Sequence, residues 1–162
     1  MSYKNENMKM IELHENGLDI QFRIRENGVV ELADFSSQEV KKAVMEPKED
    51  ICYPAVEIHR SGTGSLNMHA YKNNINQSSV DFVYENHELK AQAGGKELEI
   101  VMISPEKLKA VYHMRLFDGV PAVQTWTEII NEGSADQGLT YVSSFMYQGI
   151  SRGGEKPYYK KT

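Results

Sequence analysis

A chain of 162 residues, 40% hydrophobic and 25% charged, sits near the globular average, which argues against both disorder and a membrane protein. With 23 acidic against 18 basic residues and a pI near 5.6, its surface should repel a phosphate backbone, so nucleic acid is not an expected partner. No run approaches ~18 apolar residues and the N-terminus lacks the basic start and apolar core of a secretory signal, so a cytoplasmic location with no membrane partner is expected.

The single cysteine, Cys52, excludes an internal disulfide and reads as a small packed hydrophobe. Met8–Leu13 forms a short apolar segment that runs into Glu15-Asn16-Gly17. Beyond it Leu18, Ile20, Phe22 and Ile24 alternate with Asp19, Gln21, Arg23 and Arg25, which predicts a strand with one face in a core and one in water. Glu26-Asn27-Gly28 turns the chain again and Val29–Phe35 returns. Two Asn-Gly pairs between alternating runs signal type I′ hairpins, because both central residues of that turn need positive φ. A three-stranded meander follows.

Ser36–Asp50 fits either a short helix or an irregular connection: Ser36-x-x-Glu39 has the form of a capping box, and Pro47 stops whatever forms. Ile51–His59 is a second apolar run whose start Pro54 demotes to an edge or bulge. Arg60-Ser61-Gly62-Thr63-Gly64-Ser65 lacks phosphate-loop spacing and reads as a turn. Leu66–Tyr71 is read as a short strand and Lys72–Ser79 as a polar loop. Val80–Tyr84, Leu89–Ala93 and Lys96–Ile103 are predicted strands, with turns at Asn86-His87-Glu88 and Gly94-Gly95.

The strongest signal lies in the last third. In Lys109–Phe117, Ala110, Tyr112, Met114 and Leu116 oppose Val111, His113, Arg115 and Phe117. Asp118-Gly119 supplies a tight turn, and in Val120–Ile130 the set Val123, Thr125, Thr127 and Ile129 opposes Gln124, Trp126, Glu128 and Ile130. Asn131–Gly138 is an acidic loop and Leu139–Gln148 a final strand. Residues 151–162 show no period and read as a polar tail or a severed connection, leaving residues 1–150 as one domain. About ten strand signals with hardly any helix predict an all-β antiparallel sandwich.

The wording of Tyr112–Gly133 and of Gly138-Leu139-Thr140-Tyr141-Val142-Ser143-Ser144-Phe145 resembles the N-terminal domain of bacterial α-galactosidases of glycoside hydrolase family 36. In that family a strand, an acidic turn, the pattern R-x-W-x-E-x-x-N-x-G and then G-L-x-Y-V-S-S-F belong to a β-supersandwich, galactose-mutarotase-like in fold, that precedes a catalytic (β/α)8 barrel. Gln124 stands where such lines often carry Arg. The specific match covers residues 110 to 149, and a looser one reaches back to Tyr53.

The resemblance implies a non-catalytic domain, because the family's nucleophile and acid/base are aspartates on the barrel, and no barrel of ~250 residues fits here. The family's sandwich usually runs longer than this chain, so an incomplete domain is one expectation. It implies as partners a catalytic barrel of the parent chain, an α-galactoside or other carbohydrate, and further copies in a homo-oligomer. In the family a loop of this domain can reach a neighbouring subunit's active site. That region corresponds to Tyr53–Tyr71, anchored by Gly62-Thr63-Gly64, and implies Tyr53, His59 and Arg60 as substrate-contact candidates.

From the residues themselves, sugar binding needs an aromatic platform and planar polar groups, which makes Trp126 and Glu128 candidates beside Gln124. The competing reading buries Trp126 at a sheet or domain contact. The other strand carboxylates, Glu12, Asp19, Asp34, Glu57, Asp81 and Glu99, are expected to face solvent. None of His14, His59, His69, His87 and His113 has metal-ligand spacing apart from His59-x9-His69, so no metal or other cofactor is expected. Two alternatives stay open: a free-standing carbohydrate-binding sandwich, and a mutarotase-like epimerase, for which no histidine–carboxylate pair can be assigned from the sequence.

Overall fold

The computed structural model describes residues 9–37, 53–63 and 77–147. Among them the chain forms β1 (Lys9–Glu15), β2 (Leu18–Ile24), β3 (Val30–Ser37), β4 (Ile58–Arg60), α1 (Gln77–Val80), β5 (Val83–Gln92), β6 (Gly95–Ile103), β7 (Leu108–Phe117), β8 (Val120–Asn131) and β9 (Leu139–Val142). All pairing is antiparallel, in sheets ordered β1-β2-β3, β4-β9 and β5-β6-β7-β8. The chain is all-β and sandwich-like, as its alternation predicts. No helix among the described residues is long and apolar enough to cross a membrane.

Alternation of residue type becomes alternation of burial. Ile20 and Phe22 of β2 meet Leu98 and Ile100 of β6 and Ala110, Tyr112 and Met114 of β7 in one core, all under 2% exposed. Each large apolar side chain so buried contributes about 1.5–3 kcal/mol before chain entropy is subtracted. The Phe22 and Tyr112 rings meet edge to face, centroids 5.7 Å apart. At one end Lys96 of β6 reaches Glu15 of β1, Nζ to Oε1 2.5 Å. There the Asn16 amide also donates to the Phe117 carbonyl (2.8 Å) and accepts from the Gly119 N–H (3.0 Å), so the β1–β2 turn clasps the β7–β8 turn.

Several local expectations change. Asn16 (φ 52°) and Gly17 (φ 82°) both sit left-handed, as a type I′ turn requires. At the second Asn-Gly only Gly28 (φ 84°) does; Arg25 and Val29 close a longer loop by Arg25 N–H to Val29 C=O, 3.0 Å. The face of β2 expected in water is partly covered. Arg23 is 6% exposed and pairs with Glu31, which also accepts from Arg25 and from the Tyr53 N–H where residues 53–55 run beside β3. Asp34, expected in solvent, is 7% exposed.

The predicted turn at Asn86-His87-Glu88 is instead the middle of β5, whose pairing with β6 runs its full length past a bulge at Tyr84/Asn86. Val80–Tyr84 is split between α1 and β5. Part of the expected loop at Lys72–Ser79 is helical, and the last strand stops at Val142 rather than Gln148. The Ser36–Asp50 connection beyond Ser37, the Leu66–Tyr71 strand, Cys52, His69 and the 151–162 tail lie outside the described residues.

Candidate functional site

The outer face of the four-stranded sheet carries a dense polar cluster. Register sets Glu88, Glu99, His113 and Trp126 opposite one another in a single row across β5, β6, β7 and β8. The next row is Lys90, Glu97, Arg115 and Gln124, and Glu128 lies two residues beyond Trp126 on the same face. Such a face is ordinarily solvated, yet His113 is 7% and Glu97 8% exposed. The half-buried indole of Trp126 covers His113, lying parallel to the imidazole at 4.6 Å with 4° between planes, and Glu97 lies against that imidazole.

Around that imidazole stand three carboxylates. His113 Nδ1 is 2.9 Å from Glu97 Oε1 and 3.9 Å from Glu99 Oε1, while Nε2 lies 3.8 Å from Glu128 Oε2. The last separation is too long for a hydrogen bond, and Nε2 is buried without one. Lys90 Nζ holds the outer oxygen of Glu99 at 2.5 Å, and that hydrogen bond raises the lysine's pKa above 10.5. Arg115, opposite Glu97, turns away: it donates to the Ala93 carbonyl and lies over the Phe117 ring.

A second cluster surrounds β4. His59 Nε2 meets Glu57 Oε1 at 2.8 Å, and its ring rests against that of Tyr141, centroids 5.1 Å apart and Tyr141 half exposed. Ser143 locks the segment in place: its hydroxyl accepts from the Glu57 N–H, its own N–H donates to the Glu57 carbonyl, and its carbonyl accepts from Thr127 of β8. On the other side of β4, Arg60 is 6% exposed and bridges Asp81 (2.8 Å) and Glu106 (2.6 Å). Burial pushes the Glu106 carboxyl up, but hydrogen bonds from its own backbone, Arg60 and Ser104 outweigh it and hold the pKa below 4.5.

The five sequence candidates therefore fall in three places: Trp126 and Glu128 on β8, His59 and Arg60 on β4, and Tyr53 beside β3. Trp126 and Glu128 share the β8 outer face, with Trp126 neither fully exposed nor in the core. His59 faces outward beside Tyr141, whereas Arg60 is occupied by two carboxylates and Tyr53 contributes a backbone N–H to Glu31. Sequence reading missed Glu97, His113 and the Glu57–His59 pair. Their only signal was position: His113 belongs to the same alternating set as Arg115, and Glu57 and His59 are spaced i, i+2. The histidine–carboxylate pairs that could not be assigned from sequence thus exist, at His59–Glu57, His113–Glu97 and His14–Asp19.

No protein-family model matches the chain, and no curated protein matches it.

Proposed function

We propose that the chain is a non-catalytic β-sandwich domain of an α-galactosidase-like glycoside hydrolase, serving assembly of the enzyme and access of substrate to it. The observation that carries this reading is where apolar surface remains. Among the described residues, Leu139, Tyr141 and Phe145 are each 41–50% exposed, and all lie on or just after β9, inside the segment whose wording resembles the family. The other exposed large apolar side chains among the described residues are Val120 and Ile130, at opposite ends of β8, and Leu89 of β5. Apolar exposure along and just after one short strand suits a surface against which another domain sits. In this reading the partners are a catalytic barrel of the parent chain and further copies of the protein, the substrate is an α-galactoside of the raffinose type, and the location is the cytoplasm.

His59 and the half-exposed Tyr141, with Glu57 held behind the imidazole, would border the substrate entrance. A carboxylate–imidazole pair beside an aromatic ring can bind sugar hydroxyls and stack on the apolar face of a pyranose. The test extends the reading frame past Thr162 and assays both polypeptides on p-nitrophenyl α-galactoside. The expected result is a (β/α)8 pattern downstream, hydrolysis by the long chain and none by residues 1–162. Hydrolysis by residues 1–162, or a long chain with no barrel, refutes the reading.

A second reading, a free-standing carbohydrate-binding sandwich, is favoured by one observation. Trp126 keeps part of its surface in solvent with Gln124 and Glu128 exposed beside it. Saturable quenching of its fluorescence by raffinose or melibiose, lost in Glu128→Gln, would select that reading.

A further inference from the structure

We infer that Glu97, Glu99 and His113 form a binding site for a divalent transition-metal ion, for which Zn2+ is the best chemical match. The inference stands on the geometry of the outer sheet face and is independent of any role in a glycoside hydrolase. One oxygen from each glutamate and one imidazole nitrogen lie within 4.8 Å of one another. Bonds of ~2.0–2.2 Å in a tetrahedral shell set neighbouring ligand atoms ~3.4 Å apart. The separations of 2.9 Å and 3.9 Å from His113 Nδ1 bracket that spacing, so rotamer adjustment brings three ligands to a tetrahedral shell whose fourth position is left to water.

Burial separates this cluster from ordinary surface acids. The Glu97 side chain is 10% exposed, and among the described residues the hydrogen bond it makes is to His113, whose side chain is 9% exposed. An anion so placed is costly unless a cation faces it. Arg115 does not, since its guanidinium goes to Ala93 and Phe117. A divalent ion balances the two carboxylates with a neutral imidazole, and its carboxylate–imidazole preference fits Zn2+ better than Mg2+ or Ca2+.

The unpartnered nitrogen supplies the independent support. If Nδ1 ligates, the ring proton must sit on Nε2, which is buried, without a hydrogen bond, and 3.8 Å from Glu128 Oε2, so that a small rotation of the exposed Glu128 side chain would supply an acceptor. Metal-bound histidines ordinarily donate that second N–H to a carboxylate, which fixes the tautomer and ring orientation. Trp126, stacked on the same imidazole, fixes its plane. Glu99 and Glu97 are placed by adjacent same-face positions of β6 and His113 by the strand paired to it, so the ligands sit on rigid elements. The cation that now competes is Lys90, on the outer oxygen of Glu99.

The test uses the full chain, stripped with a chelator and titrated with Zn2+ by calorimetry and with Co2+ by visible absorption and Trp126 fluorescence. The expected results are one Zn2+ per chain, a Co2+ spectrum of low-coordinate nitrogen–oxygen ligation, and quenching of Trp126, the sole tryptophan. Glu97→Gln and His113→Gln should abolish all three signals, and Glu128→Gln should weaken binding roughly tenfold. Should a ligand variant fail to fold, Lys90→Met keeps the test decisive, because it leaves every ligand in place and removes the competitor, so affinity should rise. Absence of saturable binding in the wild type, binding unchanged in folded Glu97→Gln and His113→Gln, or affinity unchanged in Lys90→Met overturns the proposal.

Discussion

Replacing Arg60 with methionine separates a structural arginine from a substrate contact. Arg60 is 6% exposed and spans Asp81 and Glu106, so the variant keeps the apolar stem and removes the charge. Breaking a fully buried ion pair costs about 3–5 kcal/mol, chiefly because the remaining charge is stranded. Here the survivors are not stranded: the Asp81 side chain is 24% and that of Glu106 44% exposed, so water re-solvates both. Arg60 Nε is also buried without a hydrogen bond, a cost that methionine removes. The net loss is therefore set at about 1–2 kcal/mol. With a urea slope of about 2 kcal/mol/M, the unfolding midpoint should fall by roughly 0.5–1 M, read from Trp126 fluorescence. Asp81→Asn and Glu106→Gln should each cost less, since each leaves Arg60 one carboxylate. A midpoint unchanged within ~0.2 M, together with lost affinity for an α-galactoside, would refute the structural assignment and return Arg60 to the substrate contacts.

Three other outcomes are expected. Gly95→Ala should destabilise the chain by more than about 3 kcal/mol or prevent folding, because a Cβ there would lie 1.9 Å from the Leu116 carbonyl oxygen, backbone that cannot move aside; thermal unfolding measures it. Ser79→Ala should cost about 1–3 kcal/mol by urea titration, since its buried hydroxyl accepts from the Ile58 N–H (2.9 Å) and donates to the Ile58 carbonyl (3.0 Å), and alanine leaves that N–H without an acceptor. Stability should also depend on pH at both ends. Glu106 has its folded pKa below 4.5, so its contribution is present above that value and lost as pH falls through the folded pKa. Lys90 and Lys109 are raised above 10.5, mainly by hydrogen bonds to Glu99 and Glu132, so their contributions hold below that value and fade as pH rises through the folded pKa. Unfolding midpoints measured across pH should show the acid loss reduced in Arg60→Met and unchanged in Lys90→Met.

Period-two alternation made the fold class legible. Leu18–Ile24, Lys109–Phe117 and Val120–Ile130 each place apolar residues on one face, and a strand with such a pattern has one stable way to lie on a core. Turn residues were legible where the backbone needs them, as at Asn16-Gly17. They misled at Asn86-His87-Glu88, because local polarity cannot report that a neighbouring strand offers hydrogen bonds along the whole of β5.

Which residues meet was decided by tertiary structure. The Asp118-Gly119 turn taken alone would set His113 opposite Gln124. The irregularity at Leu116/Phe117 shifts the register and puts Trp126 there instead. That shift stacks the indole on the imidazole and covers His113, which holds the buried Glu97, on a face whose sequence reads as solvated. Arg60 likewise looked available in the sequence, and only the approach of Asp81 and Glu106 from distant segments occupies it. Alternation fixes a side chain's face because it follows from the backbone of one strand; its partners depend on registers and crossings set by the whole chain, and a single strand carries no record of them.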